Sequence, residues 1–73
     1  MQKVADKASL RQEGFGLLCA DYGKNVSLWQ KGSEFAVLHY EKGTEVTQFI
    51  KGKTQDEGFE KAEKVYNEWK LSN

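Results

Sequence analysis

The chain has 73 residues, enough for one domain, with 11 basic and 11 acidic side chains and a formal net charge of zero. A domain of this size buries only about 60% of the surface that its unfolded chain exposes, so its core is thin. Balanced charge disfavours both a non-specific nucleic-acid binder, which is normally basic, and an acidic mimic of nucleic acid. A single cysteine, no long apolar run and no signal-peptide pattern together predict a cytoplasmic protein without a membrane partner.

The N-terminal residues 1–14 are polar and mixed in charge. Val4, Ala8 and Arg11 share one helical face, which is typical of one or two turns of helix, and two nearby glycines would end it. A frayed tail fits the same residues equally well. We therefore expect a flexible or weakly helical segment at 1–14, followed by a single domain at 15–73.

The middle of the chain predicts an antiparallel meander of four strands. Residues 33–41 contain no turn former and are apolar in both alternating sets, which is typical of a strand inside a sheet with cover on both faces. Lys-Gly pairs on either side can form tight hairpins, because glycine adopts positive φ without steric cost. The predicted strands are 15–22, 25–30, 33–41 and 44–51, and the predicted turns are Gly23-Lys24, Lys31-Gly32 and Lys42-Gly43.

The C-terminal residues predict a helix that begins at Thr54. Thr54 and Glu57 form a capping-box pattern, in which each side chain can bond the backbone N–H of the other residue. Gly58 costs about 1 kcal/mol relative to alanine in a helix, and a close approach of the first turn to the sheet would explain it. An apolar stripe follows at Phe59, Ala62, Val65, Tyr66 and Trp69. The fold class is α+β: a four-stranded antiparallel meander with this helix on one face.

Two-residue turns fix the register of the strands and thereby the faces of the sheet. They place Leu28 opposite Phe35, His39 opposite Val46, and Cys19 opposite Leu28. The predicted bed of the helix is Phe15, Leu17, Cys19, Val26, Leu28, Phe35, Val37, Val46 and Ile50. The second face holds Leu18, Ala20, Tyr22, Trp29, Ala36, Leu38, Tyr40 and Phe49.

The second face is rich in aromatic side chains, and one helix covers only one face. The second face must therefore be solvated, covered by the N-terminal segment, or docked on a partner. An apolar area of several hundred Å² is rarely bare on a monomer, and Tyr and Trp are enriched in interface hot spots. The sequence therefore predicts a protein-binding face made of Trp29, Tyr40, Tyr22, Leu38 and Phe49. A three-residue turn would reverse the alternation beyond it and divide the aromatic side chains between both faces.

Residue patterns for catalysis, metal binding or a cofactor are weak in this chain. His39 has no nucleophile or carboxylate placed beside it by any motif, so a strand histidine is the favoured interpretation. Cys19 lies among apolar neighbours and is expected to be a small buried side chain. One His and one Cys lack the spacing of a zinc site, and no phosphate-binding glycine pattern occurs. No catalytic residue, metal or cofactor is predicted.

Lysines near the predicted start of the helix form the one electrostatic feature of note. Lys31, Lys51 and Lys53 lie at the same end of the meander as the helix N-terminus, where they could hold a phosphate. Nearby acidic residues, among them Glu34, partly cancel this charge. Ordinary solubilising lysines are the favoured interpretation.

The leading functional hypothesis is a small regulatory protein that docks on a larger protein through the aromatic face. An inhibitor or adaptor of a cellular machine, for example of the phage or mobile-element type, fits this size. The alternative is a nucleic-acid-binding module that uses the sheet aromatics and the turn lysines. The order of elements from Val26 to Trp69 is similar to that of double-stranded-RNA-binding and AP2-like folds, but none of their signature residues is matched. Self-association through the aromatic face could accompany either function.

Overall fold

The computed structural model describes residues 7–72, so the predictions for residues 1–6 and 73 lie outside it. In chain order, the elements are α1 (Lys7–Gln12), β1 (Gly16–Asp21), β2 (Val26–Lys31), β3 (Glu34–Glu41), β4 (Thr44–Lys51) and α2 (Gln55–Ser72). The strands form one antiparallel sheet in the order β1-β2-β3-β4, and α2 packs against it. The predicted α+β meander with a C-terminal helix is confirmed.

The turn between β3 and β4 is Lys42-Gly43, as predicted. Both residues have positive φ, 52° and 81°, which is the backbone of a type I′ turn. This turn twists in the same sense as the strands that it joins. His39 consequently pairs with Val46, which confirms the predicted register of β3 against β4.

The turn between β2 and β3 lies one residue later than predicted. Lys31 pairs with Glu34, so the two central residues are 32 and 33, with Gly32 at φ 59°. Leu28 therefore pairs with Val37 and not with Phe35. The register differs by two residues, and because side chains alternate with a period of two, they keep their predicted face.

Strand β1 contains a β-bulge that was not predicted from the sequence. Cys19 pairs with Leu28 as expected, but Leu17 pairs with Trp29, which leaves Leu18 as the extra residue. The bulge reverses the alternation on its N-terminal side. The assignment of Phe15 and Leu17 to the α2 face was therefore wrong.

Helix α2 begins as predicted, with the Glu57 N–H donating to Thr54 Oγ1 at 3.1 Å. The Glu57 carboxylate pairs with Lys61, one turn further on, at 3.1 Å. The helix stripe packs on one face of the sheet, which we call the α2 face. Its core comprises Val26, Leu28, Phe35, Val37, Ala62 and Tyr66, flanked by Ile50, Val65 and Trp69.

Gly58 allows the first turn of α2 to lie directly against the hairpin between β2 and β3. A Cβ atom at this position would lie 2.9 Å from two ring carbons of Phe35 and 3.1 Å from the Ser33 carbonyl oxygen. The backbone of Gly52 also packs against the Gly58 backbone, with no room for a side chain between them. Close approach to the sheet therefore explains the helical glycine.

The opposite side of the sheet, which we call the α1 face, is covered by the short helix α1. Its buried cluster comprises Leu10, Phe15, Trp29, Ala36 and Leu38, with Tyr40 packed against it. Leu10 is completely buried, and the Phe15 N–H donates to the Leu10 carbonyl oxygen at 3.0 Å. Residues 7–15 therefore contribute to the core, and the expectation that α2 alone covers the sheet was wrong.

Candidate protein-binding surface

Two of the five residues predicted to contact a partner lie in the interior of the protein. Trp29 is 2% exposed and Leu38 is 1% exposed, both beneath α1. The indole Nε1–H of Trp29 donates to Ser27 Oγ at 2.8 Å, and the Arg11 guanidinium lies 5.9 Å from the centre of the Trp29 rings. Trp29 is therefore satisfied within the fold, and neither side chain is presented to a partner.

Tyr40 is half-buried and is bonded within the sheet. Its hydroxyl donates to Glu45 Oε1 at 2.6 Å, and this hydrogen bond, with burial, raises the pKa of Tyr40. The second oxygen of Glu45 is buried and has no hydrogen-bond partner within residues 7–72. Tyr40 is thus only partly accessible to solvent, and its hydroxyl is already bonded within the sheet.

Tyr22 and Phe49 remain at the surface as predicted, but on opposite edges of the sheet. Tyr22 follows β1 and is 75% exposed, with the Lys7 ammonium 5.9 Å from its ring centre. Phe49 lies on β4, is 43% exposed, and contacts Phe15 with ring centres 5.9 Å apart. The five predicted residues therefore do not form one continuous patch.

The exposure of Leu17 on the edge strand β1 was not predicted from the sequence. Leu17 and Leu18 are 43% and 45% exposed, because the bulge changes the direction of the chain between them. Two consecutive large aliphatic residues on an edge strand were the available signal, since a pleated strand cannot bury both on one face. These leucines and Tyr22 are the exposed large apolar side chains at the β1 edge.

A cleft opens between α1 and the end of the sheet near Tyr22. Its volume is about 50 Å³, whereas pockets for small molecules usually measure about 300–1,000 Å³. Two cations, Lys7 and Arg11, line it together with Leu17 and Asp21. This arrangement is too small to enclose a metabolite, but it can receive a single side chain of a partner protein.

His39 is buried on the α2 face, where a substrate could not reach it. Its ring stacks on Trp69 with centres 3.6 Å apart, and the Gln48 side-chain N–H donates to Nε2 at 3.1 Å. Burial lowers the pKa of His39, and the nearby carboxylate of Glu41 opposes this shift only partly. The neutral imidazole is therefore favoured, and the predicted partly buried histidine is in fact fully buried.

Cys19 is exposed on β1, contrary to the expectation of a buried side chain. Its sulfur lies beside the hydroxyl of Tyr66, a residue that is 7% exposed. Burial, followed by the neighbouring Cys19 sulfur, raises the pKa of Tyr66 to about 12. Within residues 7–72, no group of three His, Cys, Asp or Glu side chains is placed to hold a metal ion.

The lysines near the start of α2 alternate with acidic groups. Glu34 pairs with Lys31 on one side and with Lys51 on the other, so one carboxylate lies in the same cross-strand row as two ammonium groups. Lys53 is exposed just before the helix. Glu34 offsets one of the two ammonium charges in this row, which favours solubilising lysines over a phosphate site.

No family model matches this chain, and no curated protein or solved structure matches it either. In the described range 7–72, neither helix combines the length and the apolar character needed to span a membrane. The class defined by the fold is thus a small α+β domain with an open four-stranded sheet.

Proposed function

We propose that this chain is a small non-enzymatic binding protein that docks on a larger protein, as an inhibitor or adaptor, through the edge formed by β1 and α1. The docking surface consists of Leu17, Leu18 and Tyr22 with the flanking cations Lys7 and Arg11. It replaces the aromatic face as the proposed contact surface, since Trp29 and Leu38 are buried.

The observation that carries this proposal is the exposure of three large apolar side chains within residues 17–22, on the edge strand β1 and the residue that follows it. Leu17, Leu18 and Tyr22 are 43%, 45% and 75% exposed. A partner that covers these side chains would gain binding free energy, because burial of apolar surface contributes roughly 25 cal/mol per Å². Flanking cations favour a partner that presents apolar side chains beside carboxylates.

Capture from a lysate of the source cells tests the proposal with three versions of the immobilised protein. The wild type is compared with a Leu17→Ser, Tyr22→Ser variant and with a Leu71→Ser control, in which an apolar residue 84% exposed at the far end of α2 is changed. We expect the wild type and the control to retain the same proteins, and the double variant to lose them. Equal recovery by all three would contradict a role for this edge.

The nucleic-acid alternative is separated by a titration with mixed oligonucleotides at two salt concentrations. Electrostatic binding to phosphates weakens steeply with salt. We expect no binding at either concentration, because the formal net charge is zero and Glu34 offsets part of the charge of the lysine row. Salt-sensitive binding that persists in the Leu17→Ser, Tyr22→Ser variant would favour the alternative.

A further inference from the structure

The two edges of the sheet differ in a way that matters for strand pairing. β1 has six residues and is interrupted by the bulge at Leu18, which is a common protection of an edge. β4 has eight residues in continuous register with β3 and, within residues 7–72, pairs with β3 alone. β4 is therefore the edge at which a further strand can be added.

The turn at Lys42-Gly43 determines which backbone groups of β4 face outward. In a two-residue hairpin the closing pair, here Glu41 and Thr44, is hydrogen-bonded, and hydrogen-bonded pairs then recur at every second residue. The backbone groups of the intervening residues, Glu45, Phe49 and Lys51 among them, point away from β3. An added strand would bond to these groups.

We propose that β4 pairs with β4 of a second copy of this chain, antiparallel about a two-fold axis at Gln48, to give an eight-stranded sheet. A two-fold axis perpendicular to a sheet keeps each face on the same side in both copies. Each residue must therefore lie opposite a residue whose side chain points to the same face. With Gln48 opposite its own symmetry mate, Glu45 lies opposite Lys51 of the second copy, and this pair occurs twice.

Charge complementarity favours this register over its neighbours. A shift of two residues in one direction places Glu45 opposite Phe49, and a shift in the other direction carries Glu45 past the end of the second copy's β4. Opposite charges directly across a strand pair are stabilising.

Both faces near β4 have apolar surface that a second copy would cover. On the α1 face, Phe49 is 43% exposed. On the α2 face, an open groove of about 390 Å³ is lined by Gln48, Val65, Glu68 and Trp69. Since the axis passes at Gln48, the groove of each copy would meet that of its mate above the continuous sheet. This interface lies on the edge opposite the proposed docking surface and does not depend on it.

Sedimentation of the wild type and of charge-reversal variants, at protein concentrations from micromolar to millimolar, tests the pairing. We expect a monomer–dimer equilibrium in the wild type, and dimerisation about tenfold weaker in Glu45→Lys and in Lys51→Glu. The double variant carrying both changes restores opposite charges and should recover dimerisation. Circular dichroism confirms that each variant is folded, so a loss of fold is distinguished from a loss of pairing.

Disulfide trapping tests the register itself in a Cys19→Ser background. Residues at the axis form a non-hydrogen-bonded pair with Cα atoms about 4.5 Å apart, within the range for a disulfide. Gln48→Cys should therefore form a covalent dimer under mild oxidation. Thr44→Cys, on the same strand and face, is the control and should not, since residue 44 lies far from its symmetry mate.

Three outcomes would overturn the proposal. If the protein is a monomer at every concentration, a second copy does not occupy the β4 edge. This conclusion also holds if a synthetic β4 peptide binds, because the edge then accepts a strand other than β4 of a second copy. A dimer unaffected by either charge reversal places the interface elsewhere. Equal trapping of Gln48→Cys and Thr44→Cys contradicts the register.

Discussion

The imidazole of His39 lies face to face with the indole of Trp69, with ring centres 3.6 Å apart and ring planes 14° apart. His39 belongs to the central strand β3 and Trp69 to the last turns of α2. The stack therefore fixes the C-terminal part of the helix to the middle of the sheet. Because Nε2 accepts from Gln48, the neutral ring carries its proton on Nδ1. A second proton would have to be added at Nε2, against the Gln48 N–H in a buried site, so protonation of this ring is disfavoured.

Acid should therefore destabilise the protein through His39. Its pKa is below the ordinary value of 6.5, so the unfolded chain takes up a proton at a higher pH than the folded chain does. The contribution of the neutral His39 to the free energy of unfolding is complete above the pKa that His39 has in the unfolded chain. It is lost as the pH falls through the lower pKa of the folded protein. Urea unfolding at about pH 7.5 and at about pH 5.5 should show a lower free energy of unfolding at the acidic pH.

A His39→Phe variant provides the control, because phenylalanine retains a ring for the stack but does not titrate. We expect its stability to change less than that of the wild type between the two pH values. If both proteins lose the same stability on acidification, other groups are responsible and the neutral-histidine interpretation is wrong.

Gly58→Ala should lower stability although alanine is the better helix former. The gain in helix propensity is about 1 kcal/mol, but the new methyl group would lie 2.9 Å from the buried ring of Phe35. Overpacking of this kind costs about 1–3 kcal/mol, so we expect a net loss of about 1 kcal/mol. Urea unfolding followed by circular dichroism measures the difference.

The matched control is Asn67→Ala, an exposed position in the same helix. There the propensity gain acts without a steric cost, and we expect unchanged or slightly higher stability. A Gly58→Ala protein as stable as the control would show that the first turn of α2 can move away from the sheet.

Leu10→Ala should destabilise the protein by about 2 kcal/mol. Leu10 is the fully buried residue of α1, and truncation of a buried leucine costs about 2–5 kcal/mol. The lower end applies because a helix of only six residues can relax into the cavity. Gln12→Ala, exposed on the same helix, should change the midpoint of urea unfolding little. Equal midpoints for both variants would mean that α1 does not stabilise the sheet.

The fold was largely predictable because its signals are local. The glycine turns, the capping threonine at position 54 and the helical stripe each act over a few residues, so strand order and the α2 face followed from them. The turn at Gly32 lies one residue later than predicted, which shifts the register of β2 against β3 by two residues. Because two is an even number, every side chain keeps its predicted face.

The candidate site was less predictable, because it depends on two non-local features. No glycine or other turn residue marks the bulge at Leu18 in the sequence, and the bulge places the Leu17 side chain on the face opposite to the predicted one. The cover provided by α1 depends on Leu10, one aliphatic side chain in a polar segment, and its burial requires the complementary surface of Trp29 and Ala36. Such contacts join residues distant in sequence, so periodicity within a segment does not reveal them.

The hairpin at Lys42-Gly43 should become more stable when Lys42 is replaced by asparagine. Lys42 has φ 52°, a left-handed conformation that costs most side chains energy but that asparagine tolerates, and Asn-Gly is the preferred type I′ sequence. We expect a gain of about 0.5 kcal/mol in the free energy of unfolding. Lys42→Val, whose branched side chain is disfavoured at positive φ, should lose about 1 kcal/mol. Lys42 is exposed, so neither change disturbs the core, and a valine variant as stable as the asparagine variant would contradict a type I′ turn.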